Sequence, residues 1–261
     1  MTLTLAQITD THLLSDPDAR LRGCPTWQTL QTVLRQVAPY QPDGLLLTGD
    51  LAERGDAIAY ERLREAIAPF NRPAYWLPGN HDNVATAAQV FQADWLQGPA
   101  AHGLQSIDLG AWRLVLLNSV KSPARYGEGE LSPTLLTALA DTLASHPAQP
   151  TAIALHHHPV PTGIDWLDQI QVQNANDLWA ILDPHPQVQL VVCGHIHLDL
   201  HHRHQRPAAA PIAVYGTPST GLQLKHPHPT PDHHQPGFRL LSLNDDGSHH
   251  TRMVRVGERE E

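Results

Sequence analysis

The stretch QLVVCGHIH, residues 189–197, decides the fold class of this chain. Leu190 to Cys193 is a short apolar run of the kind that forms a strand buried on both faces. It ends in Gly194 and then in His195 and His197, two imidazoles on one backbone turn. An ordinary turn after a buried strand has no use for paired imidazoles. A strand that delivers them at its carboxyl end belongs in an α/β sheet, where ligands bind outside that edge.

Working outward, the same kind of run recurs. LTLAQIT (3–9), GLLLTG (44–49), AYWLPG (74–79), LQSIDL (104–109), WRLVLLN (112–118) and TAIAL (151–155) read as further strands. Amphipathic stretches at 25–38, 56–68, 84–92, 132–146 and 174–182 read as helices, the fourth opened by the capping pair Ser132–Pro133. The alternation predicts a layered α/β fold. APIAVYG (210–216), GFRLLSL (237–243) and HHTRMVRV (249–256) read as strands of a second sheet, the last two flanking the hairpin turn NDDG. KHPHPTPDHHQPG (225–237) predicts an irregular loop. A single domain is expected over 1–256, with 257–261 as a frayed tail.

Five strands share one kind of ending. LTLAQIT runs into Asp10 and His12, GLLLTG into Asp50, and AYWLPG into Asn80, His81 and Asp82. TAIAL runs into His156, His157 and His158, and QLVVCG into His195 and His197. Oxygen and imidazole donors of this kind suit Zn, Mn, Fe or similar divalent ions. There are enough for two ions, with a carboxylate such as Asp50 able to face both. Two ions roughly 3.5–4 Å apart can share and deprotonate a water and clamp a phosphoryl oxygen, which is phosphoester hydrolysis. Each motif alone has an ordinary explanation as turn or surface residues. The conjunction, in this order and always at a strand end, does not.

Composition narrows the classes. Net charge is −9 with no basic cluster, which argues against a nucleic-acid surface. No run reaches the ~18 apolar residues of a membrane span. The opening MTLTLAQITD enters a strand pattern at once, so no secretory signal is expected. Two cysteines, Cys24 and Cys193, make no disulfide framework, and a reducing cytoplasm is the expected compartment. Two divalent ions against Asp10 and Asp50 would make the site locally positive despite the acidic chain.

The ordered motifs D-x-H, G-D, G-N-H-D, H-H and G-H-x-H over residues 10–197 resemble those of the calcineurin-like metallophosphoesterases. LHHHPVPTGIDWLDQ (155–169), CGHIH (193–197), TPSTGLQLK (217–225) and PGFRLLSL (236–243) resemble one branch, the bacterial class III 3′,5′-cyclic-nucleotide phosphodiesterases. The resemblance implies two packed mixed β-sheets flanked by helices, a four-layer αββα sandwich. It implies hydrolysis of 3′,5′-cyclic AMP to 5′-AMP by a hydroxide bridging two metal ions. Asp10, His12 and His197 would hold one ion, Asn80, His156 and His195 the other, with Asp50 between them. His81 would be the catalytic group at the substrate phosphate, which His12, Asn80 and His197 would also meet. His157 and Asp82 would support the ligands. Asn118 departs from the family's pattern, where an aspartate is frequent.

Alternatives within the same fold are a glycerophosphodiesterase, a nucleotide-sugar pyrophosphatase or a nuclease; outside catalysis, a scaffold. Small soluble substrates are favoured over lipids, because no amphipathic membrane segment is evident. Trp166 is read as packing a loop against the core, with stacking on a purine as the alternative. Cys193 is read as a small buried hydrophobe. Leu30, Val33, Leu34 and Val37 are read as helix core. His201, His202, His204, His226, His228, His233, His234, His249 and His250 are expected to be solvated.

Overall fold

The computed structural model describes residues 2–92 and 102–257. β1 (Thr2–Ile8), β2 (Gly44–Thr48) and β3 (Ala74–Leu77) run parallel, joined through helices α1 (Thr26–Val37) and α2 (Ala57–Ile67). The chain continues through α3 (Val84–Phe91), β4 (Leu104–Leu109), β5 (Trp112–Leu117), α4 (Pro133–Ser145) and β6 (Thr151–Leu155). Next come α5 (Asp165–Asp168), α6 (Ala175–Leu182), β7 (Val188–Cys193), β8 (Leu200–His204) and β9 (Ile212–Gly216). A closing hairpin, β10 (Gly237–Asn244) and β11 (His249–Arg255), returns to β1. One sheet has the order β11-β10-β1-β2-β3, the other β4-β5-β6-β7-β9-β8, and both are mixed.

Strand alternation sorts the second sheet's side chains between two cores. Leu114 and Leu116, Ala152 and Ala154, and Leu190 and Val192 join Leu46, Leu47 and the α1 and α2 residues Leu30, Val33, Tyr60 and Leu63. Val115, Leu117, Ile153, Leu155, Val191 and Cys193 join Leu135, Leu139 and Leu143 of α4 and Leu178 and Leu182 of α6. Strands buried on both faces need continuous apolar runs, which is what these segments are. The result is the expected pair of packed mixed sheets flanked by helices. Ser132 accepts the Leu135 N–H at 3.2 Å, with Pro133 opening α4.

The three segments expected to share a second sheet are divided: β9 pairs with β7, whereas β10 and β11 extend the sheet of β1. Two further elements depart from the sequence reading. β8, LHHRH, is an edge strand antiparallel to β9. Its polar alternation carries no apolar signal, since one face meets solvent. Its His204 is not merely solvated: it stacks on Trp179 at 3.8 Å between centroids and bonds to Asp183 at 2.8 Å. His249 likewise packs inward, 3.1 Å from the Tyr215 hydroxyl. The other departure is α5, one turn carrying Trp166, which is 42% exposed and so does not pack into the core as expected. The expected tail lies outside the described residues from 258 onward.

Candidate metal centre

Asp10, His12, Asp50, Asn80, His81, His156, His195 and His197 converge where the carboxyl ends of β1, β2 and β3 meet those of β6 and β7. Most are buried, whereas Asn80 is half-buried and His81 exposed. Nine described non-glycine residues have a positive φ, and five of them are Asp10, His12, Asp50, His195 and His197. Such backbone costs ~1–3 kcal/mol per residue and persists only where surroundings enforce it. Strain is therefore concentrated on the motif residues.

Three imidazoles are aimed alike. Nδ1 of His12 faces the Glu53 carboxylate at 2.7 Å, Nδ1 of His156 the Thr48 carbonyl at 2.8 Å, and Nδ1 of His197 the Leu222 carbonyl at 2.6 Å. An oxygen acceptor holds the proton on Nδ1 and frees Nε2 as a lone pair. Nε2 of His156 then lies 3.3 Å and that of His12 3.7 Å from Asp50, while that of His197 lies 3.2 Å from Asp10.

The backbone is locked around them. A Cβ on Gly79 would collide with the Asp50 carboxylate, and one on Gly194 with the Thr9 hydroxyl, so both positions require glycine. Asp82 accepts the N–H groups of Gly79 (2.9 Å), Leu51 (3.0 Å) and Ala52 (3.0 Å) and the Tyr60 hydroxyl (2.9 Å), binding the Asn80 turn to the Asp50 turn. His157 has both ring nitrogens engaged, with Ser119 Oγ at 2.8 Å and the Gly127 carbonyl at 3.0 Å. Asn118 folds its side chain back to accept the Val120 N–H at 3.0 Å.

Charge follows the packing. Burial opposes ionisation of Asp50, but His156 and His12 overcome it and hold the carboxyl well below its usual range. Asp10 is likewise lowered despite burial, mainly by His197. Against its own burial, His156 is raised to about 9 by Asp50. Burial dominates at His157, pushed down to about 3, and at His158, pushed down to about 4; His195 is also driven well down. Neutral imidazole is the form that binds a metal.

The donor set fits divalent ions. Ligand atoms of Asp10, His12 and His197 lie within 4.8 Å of one another, as do those of Asp10, Asp50 and His156, and of His156, His157 and His195. Asn80 Oδ1 and His195 Nε2 are buried with no hydrogen-bond partner, a costly arrangement for a lone protein and a natural one for a ligand atom. Cys193 packs in the apolar core with α4 and α6, its thiol donating to the Tyr215 carbonyl at 3.7 Å, and burial pushes that thiol up to about 12.

Sequence reasoning missed Glu53. It also reaches His81, whose Nδ1 is 3.1 Å from the Glu53 carbonyl and 3.4 Å from its carboxylate. Nothing in the local pattern DLAERGD marks that role. The sequence singled out neither Arg22 nor Tyr126, yet both join Trp166 and the motif residues in lining a pocket of about 230 Å³. A larger cleft of about 760 Å³ beside α1 and α2 holds none of the motif residues.

The model of the calcineurin-like phosphoesterase family matches residues 3–199. A 3′,5′-cyclic-nucleotide phosphodiesterase of Nostoc is 37% identical, covering 97% of this chain and 92% of the relative. The 3′,5′-cyclic adenosine monophosphate phosphodiesterase CpdA of Escherichia coli K12 is 38% identical, covering 97% and 90%. A dimetal phosphatase structure from Danio rerio shares the fold at 13% identity, with a TM-score of 0.65 and coverage of 98% and 99%. A family match running from the first strand through the His197 loop, with relatives alike over nearly their whole length, makes this chain a member of the calcineurin-like phosphoesterase family.

Proposed function

We propose that this chain hydrolyses 3′,5′-cyclic AMP to 5′-AMP at a centre for two divalent metal ions. The observation that carries the reading is the common aim of His12, His156 and His197, each tied at Nδ1 and each turning Nε2 toward Asp10 or Asp50. The names of the Escherichia coli and Nostoc relatives supply the substrate class.

Asp10, His12 and His197 would hold one ion, Asn80, His156 and His195 the other, and Asp50 would stand between them. Bound there, divalent ions supply positive charge for phosphoryl oxygens and a water acidic enough to attack at neutral pH. Iron, manganese or zinc suits this nitrogen and oxygen set. Asn80 offers its amide Nδ2, and His12 and His197 their ring edges, to the substrate phosphate. His81 keeps Nδ1 on Glu53 and handles protons through Nε2, giving one to the departing O3′ as water oxygen joins phosphorus. Proton delivery of this kind is worth about 10²–10⁴-fold.

The rest of the setting agrees with a small soluble substrate. Among the described residues no helix is long and apolar enough to cross a membrane, and a net charge of −9 disfavours nucleic acid. Both cysteines are free, in keeping with a cytoplasmic enzyme.

Metal-reconstituted protein given cyclic AMP in ¹⁸O-labelled water tests the reading. One label in the phosphate of 5′-AMP is expected. A 3′-AMP product overturns the orientation. Inert cyclic AMP beside rapid cleavage of a linear diester such as glycerophosphoethanolamine overturns the substrate.

A further inference from the structure

The pocket carries more exposed aromatic surface than phosphate chemistry requires. Four large apolar side chains are exposed among the described residues, and two of them, Tyr126 (64%) and Trp166 (42%), line this one pocket. The Arg125 guanidinium lies over the Tyr126 ring at 4.9 Å from its centroid, and the ring stays exposed. Beside Trp166, Ile164 and Leu167 are buried against Ile196, the residue between His195 and His197. The same turn is pinned by the Asp168 carboxylate, which accepts the Thr162 N–H and hydroxyl, both at 2.7 Å. Trp166 is thus held rigidly beside the His195–His197 loop and left open.

Tyr126 is held by a different loop of the site. The Glu128 carboxylate accepts the N–H groups of Arg125 (3.1 Å) and Tyr126 (2.8 Å). The next residue, Gly127, accepts from His157 Nε2 at 3.0 Å, and a Cβ there would stand 3.1 Å from Asn80 Nδ2. Each aromatic residue is therefore fixed to a different set of candidate metal ligands. Leu21, Ile170, Leu222 and Leu224 supply apolar wall to the same pocket.

We infer that Tyr126 and Trp166 form a base-stacking subsite, which orients a purine nucleotide once its phosphate meets the His and Asp cluster. The inference rests on the cyclic-nucleotide reading above. Every nucleobase presents a π-face, so stacking grips without needing a hydrogen-bond code, and the larger purine gains more than a pyrimidine. Two rigid rings lose little entropy on binding. Truncating one such ring costs roughly 10- to 100-fold in affinity.

Calorimetric titration of the metal-loaded protein with 5′-AMP and with ribose 5-phosphate isolates the base. Wild-type protein should favour 5′-AMP by about 100-fold. Trp166→Ala and Tyr126→Ala should each cut that ratio by about 10-fold or more, and Trp166→Phe should keep most of it. Both rings are exposed, so truncation spares the core, and two separate positions guard against one misfolded variant. An unchanged ratio in both alanine variants overturns the subsite. A wild-type ratio near one overturns it as well, even if cyclic AMP is hydrolysed. Inert cyclic AMP with the ratio preserved defeats the proposed reaction and leaves the subsite standing.

Discussion

The backbone N–H of His195 donates to the Asp10 carboxylate at 3.0 Å, joining the end of β7 in one sheet to the end of β1 in the other. Asp10 also accepts the Thr9 hydroxyl at 2.6 Å and faces His197 Nε2 at 3.2 Å. One side chain therefore serves as candidate ligand and as clamp between sheets.

Asp10→Ala should destabilise the protein even with all metal removed. It leaves a buried N–H without an acceptor, at a cost of about 2 kcal/mol. Asp10→Asn, which keeps an acceptor oxygen, should recover part of the loss. Thermal melts of chelator-treated variants check this, and equal melting temperatures for wild type and Asp10→Ala would remove the clamp from the account.

Glu53 orients both His12 and His81. Glu53→Ala should lower activity or metal affinity by about 10–100-fold, the usual range for a group that aims a ligand imidazole. Glu53→Gln should be milder, because an amide oxygen can still accept the His12 Nδ1 proton. Parallel assays of kcat and bound metal separate the two routes.

His81→Ala is expected to reduce kcat by about 10²–10⁴-fold with metal content retained. Elemental analysis of the variant decides its place: lost metal would make His81 a ligand instead of a proton donor.

Metal-free protein should be most stable near pH 6.5. Burial lowers His157 to about 3 and His158 to about 4, while the unfolded chain takes up these protons near the ordinary imidazole value of 6.5. Their contribution is intact above 6.5 and is lost as pH falls toward 4 and 3. His156 behaves oppositely: raised to about 9, it contributes fully below 6.5 and loses that contribution as pH climbs through 9. A melting-temperature profile from pH 4 to 9 should therefore rise and then fall; a monotonic profile would contradict these assignments.

The positions of the donors were legible because parallel strands expel polar residues at one end. Any Asp or His directly after LTLAQIT, TAIAL or QLVVC must emerge at that edge. Glu53 was not legible, since its role depends on bringing β1 and β2 side by side, which places residue 53 against His12 across 41 positions. The partners of His157 were hidden for the same reason: Ser119 and Gly127 come from a loop with no periodic signal. β8 escaped notice because a half-exposed edge strand of His, Arg and His looks like surface, and Trp166 was misjudged because its neighbours Ile164 and Leu167 had already taken the core.

The order of the strands also sets when the molecule can become whole during synthesis. β1 lies between β2 and β10, so its second edge stays open until the chain from residue 237 onward has been made. The imidazoles of His156, His195 and His197 that offset Asp10 and Asp50 precede residue 237 by 40 positions or more. Pairings of such sequence separation form slowly and expose unpaired edges meanwhile. The side chains that balance the site's carboxylates are thus in hand before β1 gains its second neighbour.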